Sequence, residues 1–387
     1  MEWLEPPHQY SHCQRILASA SLGEYLSGFR SEPATTTQQP AVEVDGSFGE
    51  GGGQILRTAV SFSIALGVPI HVTKIRAGRR VPGLRPQHAA TIKILGDICS
   101  AKVVGARVGS TELSFSPGLV EASEQHYDLG TAASIPLVLQ AVVPAVALAG
   151  GSLDLELVGG TDVPWSPTAD YLVRVLEPAM KEMGIFFSCR FRRRGYYPVG
   201  GGRASVRIDP CKGVRPLQLG SPREEPGRVS VVSRCGGLPI GVAERQERAA
   251  SALLRERGVE VGERLVTQEE SLSQGTSVLV SEVGAGCFLG GDSIGARGKR
   301  AEVVGMEAAE AFVSALSSRA RLDEHLADMV APILCLSGSP SSLLVERVSD
   351  HLRTSLHVAE EFTKARSTIS ASGGAFLLSI SPREQNS

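Results

Sequence analysis

Apolar positions along this chain switch between a period of two and a period of about 3.6, and the switches come in a recurring order. From Glu43, the alternating run VEVDGS predicts a strand, GEGGGQ a turn, and QILRTAVSFSIAL a helix. PIHVTKI then predicts a strand, PQHAATIKILGDI a second helix, and AKVVGARV and TELSFS two closing strands. From Leu129 the order returns: helix AASIPLVLQAVVPAVAL, strand SLDLELV, helix TADYLVRVLEPAMKEM, strands FFSCRFRR and RASVRIDP. Near Asp323 it starts again, with helix EHLADMVAPILCL, strand SSLLVERV, helix SDHLRTSLHVAEEF, and strands ARSTIS and AFLLSI. Helix, strand, helix, strand, strand thus occurs three times, the signature of copies packed around a pseudo-symmetry axis. The stretch from about Leu217 to Gly291 falls outside this order. It carries its own helix, GVAERQERAASALLRERG, between strands such as RVSVVSR and TSVLVSE, and is expected to be an inserted α/β domain. KRAEVVGMEAAEAFVSAL is then expected to re-enter the main body as a helix. The fold class is α/β (α+β), with main-domain segments 41–216 and 292–387 around an insert, 217–291.

Composition narrows the function classes. A chain of 387 residues suggests two or three units. Net charge is −2, so nucleic-acid binding would come from local basic patches rather than a global field. The 7 cysteines are scattered and form no C-x-x-C pair, which argues against a disulfide framework or zinc site and for a reducing compartment. The longest apolar run, IPLVLQAVVPAVALAGG, is broken by Gln140 and Pro144, so no membrane span is expected. MEWLEPPHQY, with Glu2 and Glu5, is a poor signal or transit peptide. Residues 1–40 read as a loosely ordered extension or as an upstream translation start.

The second helices of the three copies begin at RPQH, SPTAD and SDH, and packing around one axis would bring these starts together. Helix N-termini offer free N–H groups and positive potential, which suit phosphate. GEGGGQILR lacks the Gly-Lys-Ser/Thr of a Walker loop and the last glycine of G-x-G-x-x-G. Its Glu50 and Arg57 suit a metal ion and a phosphate respectively. KIRAGRRVPGLRPQH sets Lys74, Arg76, Arg79, Arg80 and Arg85 in a Gly/Pro loop, a phosphate-gripping composition or a solvated basic loop. RFRRRGYYPVGGG reads as a single-strand nucleic-acid track or as an edge strand with gatekeeper charges. In VGGTDVPWSPTADY, Trp165 and Tyr171 either stack on a base or pack. His325 and Asp328 share a helix face, where Asp328 either makes a surface hydrogen bond or orients a ribose or metal. His351 follows two good N-caps, Ser349 and Asp350, so it falls in a first turn whose field favours the neutral ring of a nucleophile or base. His357 points elsewhere, amid Leu356 and Val358, and is expected to pack.

Together, EGGGQILR, KIRAG-R, PGLRPQH, GGTD, RGYYP-GGG and the late D-H-x-x-T helix resemble the RNA 3′-terminal phosphate cyclase family, in order, from about Val42 to the end. The resemblance implies three pseudo-symmetric repeats of two helices on a four-stranded sheet, plus a smaller inserted domain. It implies an ATP-consuming ligase that needs Mg²⁺ or Mn²⁺, in which a histidine takes AMP and releases pyrophosphate. The AMP passes to an RNA 3′-phosphate, which the 2′-hydroxyl then closes to a 2′,3′-cyclic phosphate. Carried over by motif, the nucleophile is His351 and the metal-proximal acid is Glu50. The RNA and phosphate contacts are Arg57, Arg76, Arg79, Arg85 and Gln87, and the ATP contacts are Gln140, Pro167, His325, Asp328, Met329 and His351. Where the family commonly has Tyr-x-x-Asp-Gln, this chain has His325-Leu-Ala-Asp328-Met329, and Ala133 stands where Gly is common. Two other classes resemble the same architecture, a non-catalytic cyclase-like protein acting in ribosomal RNA processing and an enolpyruvyl transferase. His351 together with Arg76 and Arg79 favours the cyclase. Expected partners are ATP and RNA with a 3′-phosphate, in the cytoplasm, or the nucleus if the source is eukaryotic.

Overall fold

The computed structural model describes residues 40–223, 227–284 and 286–383; apart from Pro40, the expected N-terminal extension lies outside the described residues. The first sheet forms from β1 (Val42–Asp45), β2 (Ile70–Thr73), β3 (Lys102–Val104) and β4 (Leu113–Ser116), with helices α1 (Gly53–Leu66) and α2 (Pro86–Ile98) as connections. Its strand order is β1-β2-β4-β3, with β1 and β2 parallel and the other pairs antiparallel. The second sheet uses β5 (Ser123–Asp128), β6 (Leu153–Gly159), β7 (Phe187–Arg193) and β8 (Gly202–Ile208) in order β5-β6-β8-β7, with the same orientations. Helix α3 (Ile135–Leu148) joins β5 to β6. Helix α4 precedes β7 and is continuous but not uniform: Ala169–Tyr171 and Glu177–Glu182 are α-helical, and Leu172–Leu176 is wound as a π-helix. Pro178 has no N–H for the Arg174 carbonyl, and a wider turn accommodates its ring.

The third strand pair begins at β9 (Gln218–Leu219). There follow β10 (Val229–Gly236), α5 (Gly241–Glu256), β11 (Val261–Glu269), β12 (Gly275–Gly284), β13 (Cys287–Ile294) and α6 (Ala301–Ser317). Strands β10 to β13 form a fourth sheet of different order, β11-β10-β12-β13, while β9 belongs to the third. Only afterwards come α7 (Glu324–Leu334), β14 (Ser341–Val345), α8 (Asp350–Thr363), β15 (Arg366–Ser372) and β16 (Ala375–Ser381), which complete β15-β16-β14-β9. Again the first pair, β9 and β14, is parallel and the rest are antiparallel.

Two cores organise the described residues. The larger joins α1, α3, α4, α7 and α8 to the sheets: Ile55, Ala59 and Phe62 of α1 pack with Val138 and Val142 of α3 and with Leu352 and Leu356 of α8. Ser61 Oγ donates to the Ala141 carbonyl at 2.8 Å, and the Phe62 and Phe362 rings lie 5.7 Å apart, so α1 is gripped on two sides. The smaller core contains Ala250 and Leu254 of α5, Val278 and Val280 of β12, and Val304, Ala308 and Phe312 of α6. Helix α6 therefore does not re-enter the main body, contrary to the sequence expectation. Its small residues decide this: a Cβ on Gly305 would collide with the Gln246 carbonyl of α5, so the two helices pack backbone to backbone. No helix among the described residues is long and apolar enough to cross a membrane.

A buried ionic seam ties the second sheet to the fourth. Arg194, just past β7, reaches Asp162 at 3.3 Å and Asp170 at 3.0 Å, while Arg234 of β10 reaches Asp170 at 2.8 Å and also pairs with Glu269. Burial opposes ionisation of Asp170, yet Arg194 and Arg234 hold its carboxyl below the usual value. Removing Arg194 would leave the buried Asp162 carboxylate without its cation and Asp170 with Arg234 alone. Arg194→Met should therefore cost about 3–5 kcal/mol in denaturant unfolding; a loss within about 1 kcal/mol would show that the seam does not bear on stability.

Candidate active site

The site begins with backbone. Gly49 and Gly51 have φ of +57°, a conformation that side-chain-bearing residues avoid. A Cβ on Gly49 would strike the Thr354 hydroxyl, one on Gly52 the Glu50 carboxylate, and one on Gly53 the His88 ring. The glycine turn thus lets the chain pass between α2 and α8 at contact distance. Phe48 stacks on His357 of α8, with ring centroids 3.8 Å apart. His357 packs, and what it packs is the turn that carries Glu50.

Glu50 projects between two cationic or potentially cationic groups. Its Oε2 accepts from Arg79 at 2.9 Å, and its Oε1 lies 2.5 Å from His351 Nδ1 without an aligned hydrogen bond. His351 is exposed in the first turn of α8. That turn is set by Ser349, whose hydroxyl accepts from Leu352 N at 2.8 Å and donates to Asp328 at 2.5 Å.

Arg57 of α1 and Arg76 and Arg79 of the basic loop each bury an Nε with no partner, as Thr354 does its hydroxyl. Polar atoms are seldom left this way, and five of the eight such atoms among the described residues, counting Glu50 Oε1, belong to this group. Arg76 is held at φ +57°. Burial lowers Arg57 to about 10 against the pull of Glu50, and burial with repulsion from Arg79 and Arg85 lowers Arg76. Three arginines around a single carboxylate form a site short of negative charge, as a phosphate-binding site requires.

His88, in the first turn of α2, carried no weight in the sequence reading. Its Nδ1 accepts from Arg85 N at 3.2 Å, and burial plus the charges of Arg57, Arg76 and Arg85 hold it near 4, so it is neutral at pH 7. The PQH spacing placed it on the helix, but only the fold presses it against Gly53 and Arg57. Gln87 sits half-buried beside it.

Three further sequence candidates, His325, Asp328 and Met329, lie on α7. Asp328, buried on α7, meets the Ser349 hydroxyl, and Met329 is half-buried beside it. Burial opposes protonation of His325, but Asp323, Asp292, Asp328 and Glu324 outweigh it and raise the ring. Gln140 in α3 and Pro167 before α4 are both half-buried, and no hydrogen bond among the described residues links either to the Glu50–His351 pair. Of the three helix starts, those of α2 and α8 meet at the glycine turn. That of α4 lies at the ionic seam instead and reaches α7 through Tyr171, whose hydroxyl donates to Asp323 at 2.7 Å. Tyr171 is fully buried, which removes it as a stacking surface for a base.

Among the described residues no three His, Cys, Asp or Glu side chains are grouped to hold a metal ion. Glu50 Oε1, which has no hydrogen-bond partner, is an atom that could bind a divalent ion, with ligand and water oxygens completing the shell.

Burial raises the Asp328 carboxyl to about 7. Above about pH 4 the unfolded chain releases a proton that the folded protein keeps until about pH 7, so this group's contribution to stability falls as pH rises through that window. Asp328→Asn does not titrate and can still accept from Ser349. Its unfolding free energy relative to the parent should improve by about 2 kcal/mol between pH 5 and pH 8. A difference that stays constant with pH would contradict the assignment.

Comparison with known proteins gives one consistent result. A family model described as RNA 3′-terminal phosphate cyclase matches residues 48–369. A Pyrobaculum aerophilum protein named RNA 3′-terminal phosphate cyclase is 38% identical over 344 residues, covering 88% of this chain and 98% of its own. Proteins of the same name from Thermococcus kodakarensis and Methanopyrus kandleri are 45% and 41% identical, each over 83% of this chain and 92% and 93% of their own.

Proposed function

The chain belongs to the RNA 3′-terminal phosphate cyclase family, and from that premise we propose that it converts an RNA 3′-phosphate to a 2′,3′-cyclic phosphate through an AMP adduct of His351. The observation that carries the reading is the meeting of Glu50, Arg79 and His351 at a glycine turn ringed by unpaired arginine nitrogens. With Nδ1 facing Glu50, the free ring nitrogen Nε2 is the nucleophile. It attacks the α-phosphorus of ATP, an N–P bond forms, the bond to the bridging oxygen breaks, and pyrophosphate leaves. An RNA 3′-phosphate oxygen then displaces the histidine, and the 2′-hydroxyl attacks the RNA phosphorus and expels AMP as its proton passes to solvent. Arg57, Arg76, Arg79, Arg85 and Gln87 hold the phosphates, and Gln140, Pro167, His325, Asp328 and Met329 hold the adenosine. Mg²⁺ or Mn²⁺ held by Glu50 would supply further neutralisation of the triphosphate.

The sheets of common strand order are, on this reading, three copies of one unit, and the fourth sheet with α5 and α6 is an insertion between β9 and α7. The alternative, a non-catalytic cyclase-like protein in ribosomal RNA processing, predicts no adduct. Incubation with α-phosphate-labelled ATP and Mg²⁺ or Mn²⁺ separates the two. An acid-labile, alkali-stable adduct should form in the parent and in His357→Ala and be absent from His351→Ala, and RNA with a 3′-phosphate but not a 3′-hydroxyl should be consumed. An adduct retained in His351→Ala would sink the mechanism.

A further inference from the structure

Between the second and fourth sheets lies a cleft of about 1480 Å³ that the reaction described above does not use. It exceeds the roughly 300–1,000 Å³ of ordinary small-molecule sites, so its size suits an extended ligand. One wall carries two aromatic rings that the fold leaves in solvent. Trp165 is 97% exposed, in a loop entering α4, with φ of +67°, and Tyr197 is 67% exposed just past β7. A bulky residue held in the left-handed region is strained, and here the strained backbone presents an indole to water.

The opposite wall is basic. Arg245 of α5 and Arg300 before α6 share one acid, Glu302, at 3.4 and 3.7 Å, and the exposed Arg297 has no ion-pair partner among the described residues. Lys299 is paired with Glu307. The acids facing the cleft are committed elsewhere: Asp162 to Arg194, and Asp292 to Thr168 N at 2.8 Å. Tyr196 also lines the cleft, is only 3% exposed, and has a buried hydroxyl with no partner.

Flat aromatic faces opposite arginines are what successive bases and their backbone phosphates need, and such stacking tolerates any sequence. We propose that this cleft holds single-stranded RNA 5′ of the two nucleotides at the reactive end. The proposal rests on the cyclase reading. The cleft adjoins the nucleotide contacts of that reading: Ser166 and Thr168 of its lining flank Pro167.

The test uses the full chain and 3′-phosphorylated oligoribonucleotides from a dinucleotide to about twelve nucleotides, long enough to span several stacking positions. For the parent, KM should fall as the RNA lengthens. Trp165→Ala and Tyr197→Ala should each raise KM for the longest RNA roughly tenfold and leave the dinucleotide unchanged. Arg297→Glu should weaken binding of the long RNA and flatten its salt dependence. All three should form the AMP adduct at the parent rate, as should Leu119→Ala, an exposed control outside the cleft. Unchanged KM at every length, or an equal loss on dinucleotide and long RNA, would overturn the cleft assignment. Absence of an adduct from the parent would instead refute the functional reading. In that case fluorescence anisotropy with a labelled oligoribonucleotide still decides the cleft, because Trp165→Ala must bind it more weakly than the parent.

Discussion

The candidate site depends on one carboxylate. Glu50 bonds Arg79 and abuts His351, and so brings a loop after β2 and the start of α8 to a turn that follows β1. The turn and the loop follow paired strands of the first sheet, whereas α8 comes only near the end of the chain. Arg57 is depressed by burial, and Arg76 by burial and by its cationic neighbours, and a single acid does not neutralise them. The turn stays in place because it is glycine, which lets the backbone lie on Thr354, and because Phe48 stacks on His357. His351, the proposed nucleophile, and His357, which packs, thus serve the same turn from successive turns of one helix.

A second constraint lies at the other end of the main body. The seam of Arg194, Asp162, Asp170 and Arg234 is buried, and it fixes the fourth sheet against the second. It also places Asp170, at the start of α4, away from the glycine turn. Helix starts that look equivalent in sequence are therefore put to different uses: two flank the Glu50 turn, and one anchors a second unit and borders the cleft.

Most helices and strands were legible because their periodicity is local. The exceptions have physical reasons. β5, SEQHYD, alternates exposed and half-buried positions at a sheet edge, and β9 is two residues long, so neither shows an apolar pattern. RFRRR is an edge strand with Arg190 and Arg192 in solvent, but Arg194 turns inward to two carboxylates that composition could not place. Helix α6 has the small residues of a helix-packing face, and sequence does not say which helix lies opposite. Tyr171 looked like a stacking aromatic and is a buried hydrogen-bond donor.

By itself, the sequence determined what short-range physics controls: the Ser349 cap that puts His351 in a first turn, the left-handed glycines before α1, the separation of His351 from His357, and the family to which the motifs belong. Tertiary structure alone decided which charges meet. It set Glu50 against His351, pressed neutral His88 onto Gly53, raised Asp328 by burial, and left Trp165 exposed at an open cleft. Those outcomes depend on burial and on distances between residues remote in the chain, and neither is written in the order of residues along any one segment.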